Sequence, residues 1–454
     1  MIHVCDSIMG SGKTMAAINY MNTHPNNKFI YITPYLDEAE RIKNGCMNLH
    51  FVEPNEWSNG AYHSKVKHTS QLIKEGRNIA STHQAFKYYS PDMLEDIRNK
   101  NYCLIIDESI EVIDKYDLHH DDLEMAINGG YVVRDGDTYS MTNKAYQRGL
   151  FSEFFRLLKT RKLIRLDDKG NSDLDDKSVD EKNSYYYWIL PPSFIASFKE
   201  VYILTYMFES QSIHHLLAVN NMQYERVGIK KTEDGKFSFG EYPGYVPEYA
   251  KHMKDMVHIL EIPKLNAIGG GRYSLSVNSM RNHPEDVERL RKNIGNVVRN
   301  IWGDVPANRK MWSSFTTVRN NLSGKGYTRS FLPFNARAKN EYKNRKYLIY
   351  AVNIFMRTPE KLFYQKHGID VNEDMYALST MVQWIWRSAI RDGDEIYIYI
   401  PSKRMRTLLI NWMESLSDDE EKIYIEPTYY EDTYGRDWRK KLTEVLDEDT
   451  DFDD

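Results

Sequence analysis

The chain opens on an apolar run, Ile2-His3-Val4-Cys5, that passes into the glycine-containing turn Asp6-Ser7-Ile8-Met9-Gly10-Ser11-Gly12-Lys13-Thr14 and then into helix-favouring residues 15 to 21. Phe29-Ile30-Tyr31-Ile32 reads as a second strand before Thr33-Pro34, and residues 36 to 43 again suit helix. Asn78-Ile79-Ala80-Ser81-Thr82 and Tyr102-Cys103-Leu104-Ile105-Ile106 add two more apolar strands, the second ending at Asp107-Glu108. Runs that are apolar at nearly every position belong to strands buried on both faces. Their alternation with helices predicts an α/β fold whose parallel sheet is covered on both sides.

After Ser109 the pattern changes. A hairpin across Tyr131 to Tyr139, turning at Asp135-Gly136, is followed by an apolar helix near 150 to 158 and an acidic stretch from Asp167 to Asn183. These predict an inserted subdomain at about 113–196. Val201-Tyr202-Ile203-Leu204-Thr205 restores the strand pattern. From about residue 215 a second unit is expected, with a hairpin at Glu233-Asp234-Gly235-Lys236 and strands at Met311 to Phe315, Tyr347 to Val352 and Ile396 to Ile400. The expected division is 1–212, 213–425 and an acidic C-terminal tail at 426–454. No internal repeat of fixed period is visible.

Composition narrows the class. A chain of 454 residues exceeds what one hydrophobic core usually organises. With 41% hydrophobic and 28% charged residues, it is neither fibrous nor disordered as a whole. No stretch approaches the roughly eighteen consecutive apolar residues that span a bilayer, and the first residues do not read as a secretion signal. A cytoplasmic protein without a membrane partner is expected. Cys5, Cys46 and Cys103 are too few for a disulfide framework and lack zinc spacing; Cys5 and Cys103, in apolar strands, read as small buried hydrophobes. The formal net charge is −5, yet the last eight residues carry six acids and no base. The remaining body is therefore near neutral and has room for a basic groove.

The opening turn carries the sharpest chemistry. Consecutive N–H groups in a glycine-rich turn at the positive end of a helix form an anion cradle, and Gly10 and Gly12 allow the backbone angles and the close approach of phosphate. Lys13 can reach terminal phosphates and Thr14 can ligate Mg²⁺. At the end of an apolar strand, Asp107 is placed toward the same Mg²⁺. Glu108 is placed toward a water that must lose a proton to attack phosphorus. Gln383-Trp384-Ile385-Trp386-Arg387-Ser388-Ala389-Ile390-Arg391 is expected to put two arginines on one helix face, suited to neutralising charge in phosphoryl transfer.

Taken in order, these segments resemble the motifs of superfamily 2 helicases and translocases, in particular compact DExH-type helicases of bacteriophages. Met9-Gly10-Ser11-Gly12-Lys13-Thr14 is similar to motif I, Tyr31-Ile32-Thr33-Pro34 to motif Ia, and Ile79-Ala80-Ser81-Thr82-His83-Gln84 to the next strand-end motif. Asp107-Glu108-Ser109 resembles motif II, Leu204-Thr205-Tyr206 motif III, Tyr350-Ala351-Val352-Asn353 motif V, and Gln383 to Arg391 motif VI. The resemblance implies two RecA-like domains with ATP and Mg²⁺ in the cleft between them. It implies catalytic Lys13, Asp107, Glu108, Gln383 and either Arg387 or Arg391, with nucleotide held by Met9 to Thr14 and metal by Thr14 and Asp107. It further implies contact of Thr33, Pro34, Thr82 and His83 with nucleic acid.

Between Arg319 and Lys346 eight bases stand against one acid, Glu341, with Tyr327, Phe331, Phe334 and Tyr342 interleaved. Cations that follow phosphates and rings that stack bases fit a single strand, with Arg337, Lys339 and Lys343 as its candidate contacts. The expectation is an ATP-dependent DNA helicase or translocase of phage replication or recombination, acting on single-stranded or forked DNA in the host cytoplasm. RNA stays open as the strand, and the acidic tail is a candidate contact for replication proteins. Two alternatives stand beside it: the ATPase motor of a DNA-packaging terminase, and a non-catalytic nucleic-acid remodelling protein.

Overall fold

A computed structural model describes the chain except residues 35, 59–60, 63, 137, 145, 147–148, 150, 168–183, 243–252, 337–339 and 418–454. The acidic tail, nearly all of the acidic stretch after Asp167, and Arg337 and Lys339 thus lie outside the described residues. The fold divides into two units, the first within Met1–Ser7, Gly12–Gly244 and Met356–Asn372, the second within Ile8–Ser11, Tyr245–Phe355 and Glu373–Asp454.

In the first unit the strands are β1 (Ile2–Asp6), β2 (Lys28–Thr33), the short pair β3 (Trp57–Ser58) and β4 (Ala61–Tyr62), β5 (Ile79–Thr82), β6 (Tyr102–Asp107), β7 (Ile113–Tyr116), β8 (Val132–Asp135), β9 (Thr138–Met141), β10 (Lys162–Asp167), β11 (Ser184–Ile189), β12 (Glu200–Thr205), β13 (Glu225–Lys231) and β14 (Phe237–Glu241). The main sheet runs β14-β13-β1-β12-β6-β2-β5 and is parallel apart from the β13–β14 hairpin. Successive residues of a strand point to opposite faces. Ile30, Leu104, Ile106 and Ile203 enter one core, while Phe29, Tyr31, Ile105 and Leu204 enter the other. Two covered faces explain why these strands show no polar alternation.

Between β6 and β12 the chain builds an antiparallel sheet of its own, ordered β7-β11-β10-β9-β8, over a core that includes Leu123, Phe154, Phe155, Leu163 and Trp188. This is the insertion, its strands spanning Ile113 to Ile189.

The division of the chain differs from the expected break at 212/213. The hairpin around Asp234-Gly235 extends the first sheet, because β13 pairs in parallel with the open edge of β1, His3 opposite Glu225 and Val4 opposite Arg226. The segment Met356–Asn372 also belongs to the first unit, where its helix Thr358–Lys366 packs on β10.

The second unit holds β15 (Val257–Ile259), β16 (Lys310–Ser313), β17 (Tyr347–Tyr350) and β18 (Ile396–Tyr399) in the parallel order β15-β18-β17-β16. Trp312, Ile349 and Tyr399 anchor the core on one face, and Trp384 packs against Tyr350. Both units are therefore α/β with parallel sheets.

Candidate nucleotide site

The turn after β1 is set by two left-handed glycines, Gly10 at φ 78° and Gly12 at φ 95°, a region costly for side-chain-bearing residues. Gly12 also faces the ring of Phe237, which would stand 2.5 Å from a Cβ built there. Ser11 is buried, and its N–H bonds the carbonyl of Ile8 at 3.3 Å. Gly12 caps the helix Lys13–Thr23, whose small residues Ala16 and Ala17 let it lie close to the sheet. Lys13 turns its Nζ back to the Ser7 carbonyl at 2.5 Å, and burial lowers the affinity of that ammonium for its proton.

The acids arrive by sheet order. Because β12 lies between β1 and β6, its end holds both halves of the site: Ser7 N–H donates to the Thr205 carbonyl at 3.0 Å, and Glu108 N–H to the Leu204 carbonyl at 3.0 Å. Asp107 Oδ2 accepts from Thr14 Oγ1 at 3.2 Å and from the Tyr31 hydroxyl at 2.6 Å. Burial raises the Asp107 carboxyl to about 6 against the opposing Tyr31 hydrogen bond, and neighbouring Glu108 raises it further. Glu108 occupies the left-handed region at φ 60°, so the chain turns off the strand at the residue expected to meet water.

Thr14 and Asp107 offer hard oxygen donors side by side, which fits Mg²⁺, an ion that takes few protein ligands and completes its shell with phosphate and water. Among the described residues, no group of three or more His, Cys, Asp or Glu is arranged to hold a metal alone. The three cysteines are buried thiols, Cys5 and Cys103 as expected of small hydrophobes in apolar strands, and burial pushes Cys5 up to about 12.

Other expected residues fall in different environments. Thr33 and His83 are buried, His83 Nε2 meeting the Asp107 carbonyl at 3.0 Å, and Thr82 caps a short helix through the Ala85 N–H at 3.3 Å. Thr82 and His83 thus brace the ends of β5 and β6, with Thr82 half-buried. Pro34 lies directly beyond the end of β2.

In the second unit, Gln383 donates to Ser379 Oγ at 3.1 Å within the helix Glu373–Ile385. That helix stops at Ile385, so the two arginines do not share one helix face. Arg387 is buried in the following turn, and Arg391 is exposed in the 3-10 turn Ala389–Asp392. The break has a local cause: Arg387 and Ser388 N–H groups bond three residues back, Ser388 is extended, and Gly393 at φ 82° closes the turn into β18.

The basic run also differs from expectation. Tyr327, Phe331 and Tyr342 are buried, with Tyr327 and Phe331 packed edge-on against Trp312, so they are core rather than open stacking platforms. Lys343 is exposed.

Sequence reasoning missed three contributors. The pattern places Tyr31 in a strand and in the motif Ia segment but does not pair it with Asp107, although a phenol in a fully buried strand needs a partner. Phe237 closes over Gly12 from a hairpin assigned elsewhere. Asp6 anchors the end of β1 by accepting from Phe208 N–H at 3.1 Å and Arg226 at 3.3 Å, while Arg226 also pairs with Glu209 at 2.8 Å.

Comparison with known proteins adds the following. Residues 251–413 match the family model described as the YonV C-terminal Rossmann-like domain. The chain is 36% identical over 426 residues to the SPbeta prophage-derived uncharacterized protein YonV of Bacillus subtilis (strain 168), spanning 91% of this chain and 99% of that protein. Among solved structures it is similar to Xpd4 of S. tokodaii at 12% identity and a TM-score of 0.40, over 93% of this chain and 95% of that one. It is similar to an XPD helicase at 10% identity and a TM-score of 0.36, over 90% and 94% of the two chains.

Proposed function

The chain belongs to the YonV family, and from that premise and the geometry around the loop after β1 we propose that it is an ATP-driven nucleic-acid motor, a DNA helicase or translocase. The observation that carries the reading is the Thr14–Asp107 pair, 3.2 Å apart below a loop of two left-handed glycines and a lysine folded back on its own backbone.

In this reading the N–H groups of Met9 to Thr14 hold the phosphates and Lys13 leaves the Ser7 carbonyl to meet them. Thr14 and Asp107 would hold Mg²⁺, which would supply positive charge to offset that of the phosphates. Glu108 accepts the proton of the attacking water, and Arg387 or Arg391 supplies positive charge as the terminal phosphate is transferred. Asp6, Arg226 and Tyr31 position these groups without touching the reacting atoms. Lys343, with Arg337 and Lys339, is the proposed contact for a single strand. The prophage-derived description of the B. subtilis relative supports a role in phage DNA replication or recombination.

The test is Mg²⁺-dependent ATP hydrolysis by purified wild type, Lys13→Ala and Glu108→Gln. Lys13→Ala is expected to abolish hydrolysis, and Glu108→Gln to bind ATP without turning it over. Wild-type rates in either variant would overturn the assignment.

A further inference from the structure

Away from the nucleotide loop, the first unit contains a second concavity. Helix Pro91–Asn99, the turn Lys159 to Arg161 before β10, and the segment Pro191 to Ser197 leading to β12 enclose about 370 Å³. Leu94 and Phe194 give it an apolar floor; Arg98 and Lys159 are exposed at its rim, against Glu95.

Arg161 lines the same pocket with a side chain only 2% exposed. It gives Nη1 to Asp114 Oδ2 at 3.1 Å, while its buried Nε has no hydrogen-bond partner. Asp114 Oδ2 also receives Lys87 at 2.5 Å, so two cations share one carboxylate. Arg98 Nη2 reaches Ser197 Oγ at 3.3 Å, which ties the rim to the segment leading to β12.

A cavity walled in part by a buried guanidinium and lined at its rim by two further exposed cations, Arg98 and Lys159, suits an oxyanion with several acceptors. Phosphate matches the planar fork of arginine, and the volume lies within the range of small-ligand sites. We propose that this pocket is a second phosphate site that takes a phosphate ester of a nucleic-acid strand. The strand as occupant rests on the motor reading; the phosphate chemistry does not. Because the lining joins helix Pro91–Asn99 of the sheet domain, a turn inside the insertion and the segment by which the chain leaves it, an occupied pocket ties the insertion to the sheet domain.

The experiment compares full-length wild type with the Arg98→Ala/Lys159→Ala double variant, whose changes are at exposed positions. Two probes are used: fluorescein-labelled oligothymidylate by anisotropy, and adenosine monophosphate by equilibrium dialysis in a Lys13→Ala background that silences the nucleotide loop. Oligothymidylate affinity is expected to fall at least tenfold, and its log–log salt slope to flatten by about 1.4, or roughly 0.7 for each lost single-strand contact. ATP hydrolysis without DNA should not change. A loss confined to adenosine monophosphate supports the phosphate site and makes a free nucleotide its occupant. Unchanged binding of both probes overturns the proposal. If wild type neither binds the strand nor hydrolyses ATP, the motor reading fails, and the monophosphate arm still decides the pocket.

Discussion

Glu360 offers a perturbation whose size follows from its surroundings. It lies on the helix Thr358–Lys366, 7% exposed, in the segment that returns to the first unit. Burial raises its carboxyl from the ordinary 4.5 to about 8; Glu111 and Asp114 push the same way, and Arg357 opposes them. Below about pH 4.5 folded and unfolded chains both hold the proton, and the group has no effect on stability. Between 4.5 and 8 the unfolded chain releases it while the folded chain keeps it, so stability falls as pH rises and levels off above 8. At about 1.4 kcal/mol per pH unit this interval sets a ceiling of about 5 kcal/mol. Glu360→Gln keeps the shape of the protonated acid and removes its titration. In urea denaturation from pH 5 to 9, the variant should match wild type within about 1 kcal/mol at pH 5 and exceed it by several kcal/mol at pH 9. A difference that stays constant across that range would refute the reasoning.

Tyr31→Phe removes a 2.6 Å donor from the buried Asp107 carboxylate and should cost about 1–3 kcal/mol, read as a lower thermal midpoint at pH 7. Gly12→Ala puts a methyl group into the Phe237 ring at φ 95°; a fluorescent ATP analogue should then bind at least tenfold more weakly, and adding Phe237→Ala should not restore binding because the backbone angle is still wrong. Of Arg387→Ala and Arg391→Ala, at least one should lower ATP turnover tenfold or more, about 1.4 kcal/mol of barrier, while circular dichroism is unchanged. If neither does, the two arginines have no part in hydrolysis.

Local patterns were readable where the physics is local. β1, β2, β5, β6 and β12 showed as mostly apolar runs without regular polar alternation because both of their faces are buried, and the β8–β9 hairpin showed through its Asp135-Gly136 turn. Pairing between distant segments was not readable. Nothing along the chain says that β13 closes on the free edge of β1, or that residues 356 to 372 return to the first unit, since both depend on edges and faces created only on folding. Aromatic residues spaced among cations look alike whether they stack bases or, as Tyr327 and Phe331 do, pack on Trp312. At the candidate site the residue types and their order were visible. The support of Asp107 by Tyr31 was not, because it links neighbouring strands through side chains.

The most direct test of the account is ATP hydrolysis by the wild-type chain with and without single-stranded DNA, at several salt concentrations. A motor that couples the loop at Lys13 to a strand should hydrolyse faster when DNA is added, and the stimulation should fade as salt displaces the strand from its phosphate contacts. Hydrolysis that depends on Mg²⁺ but is indifferent to both DNA and RNA would contradict the claim that this ATPase drives movement on nucleic acid.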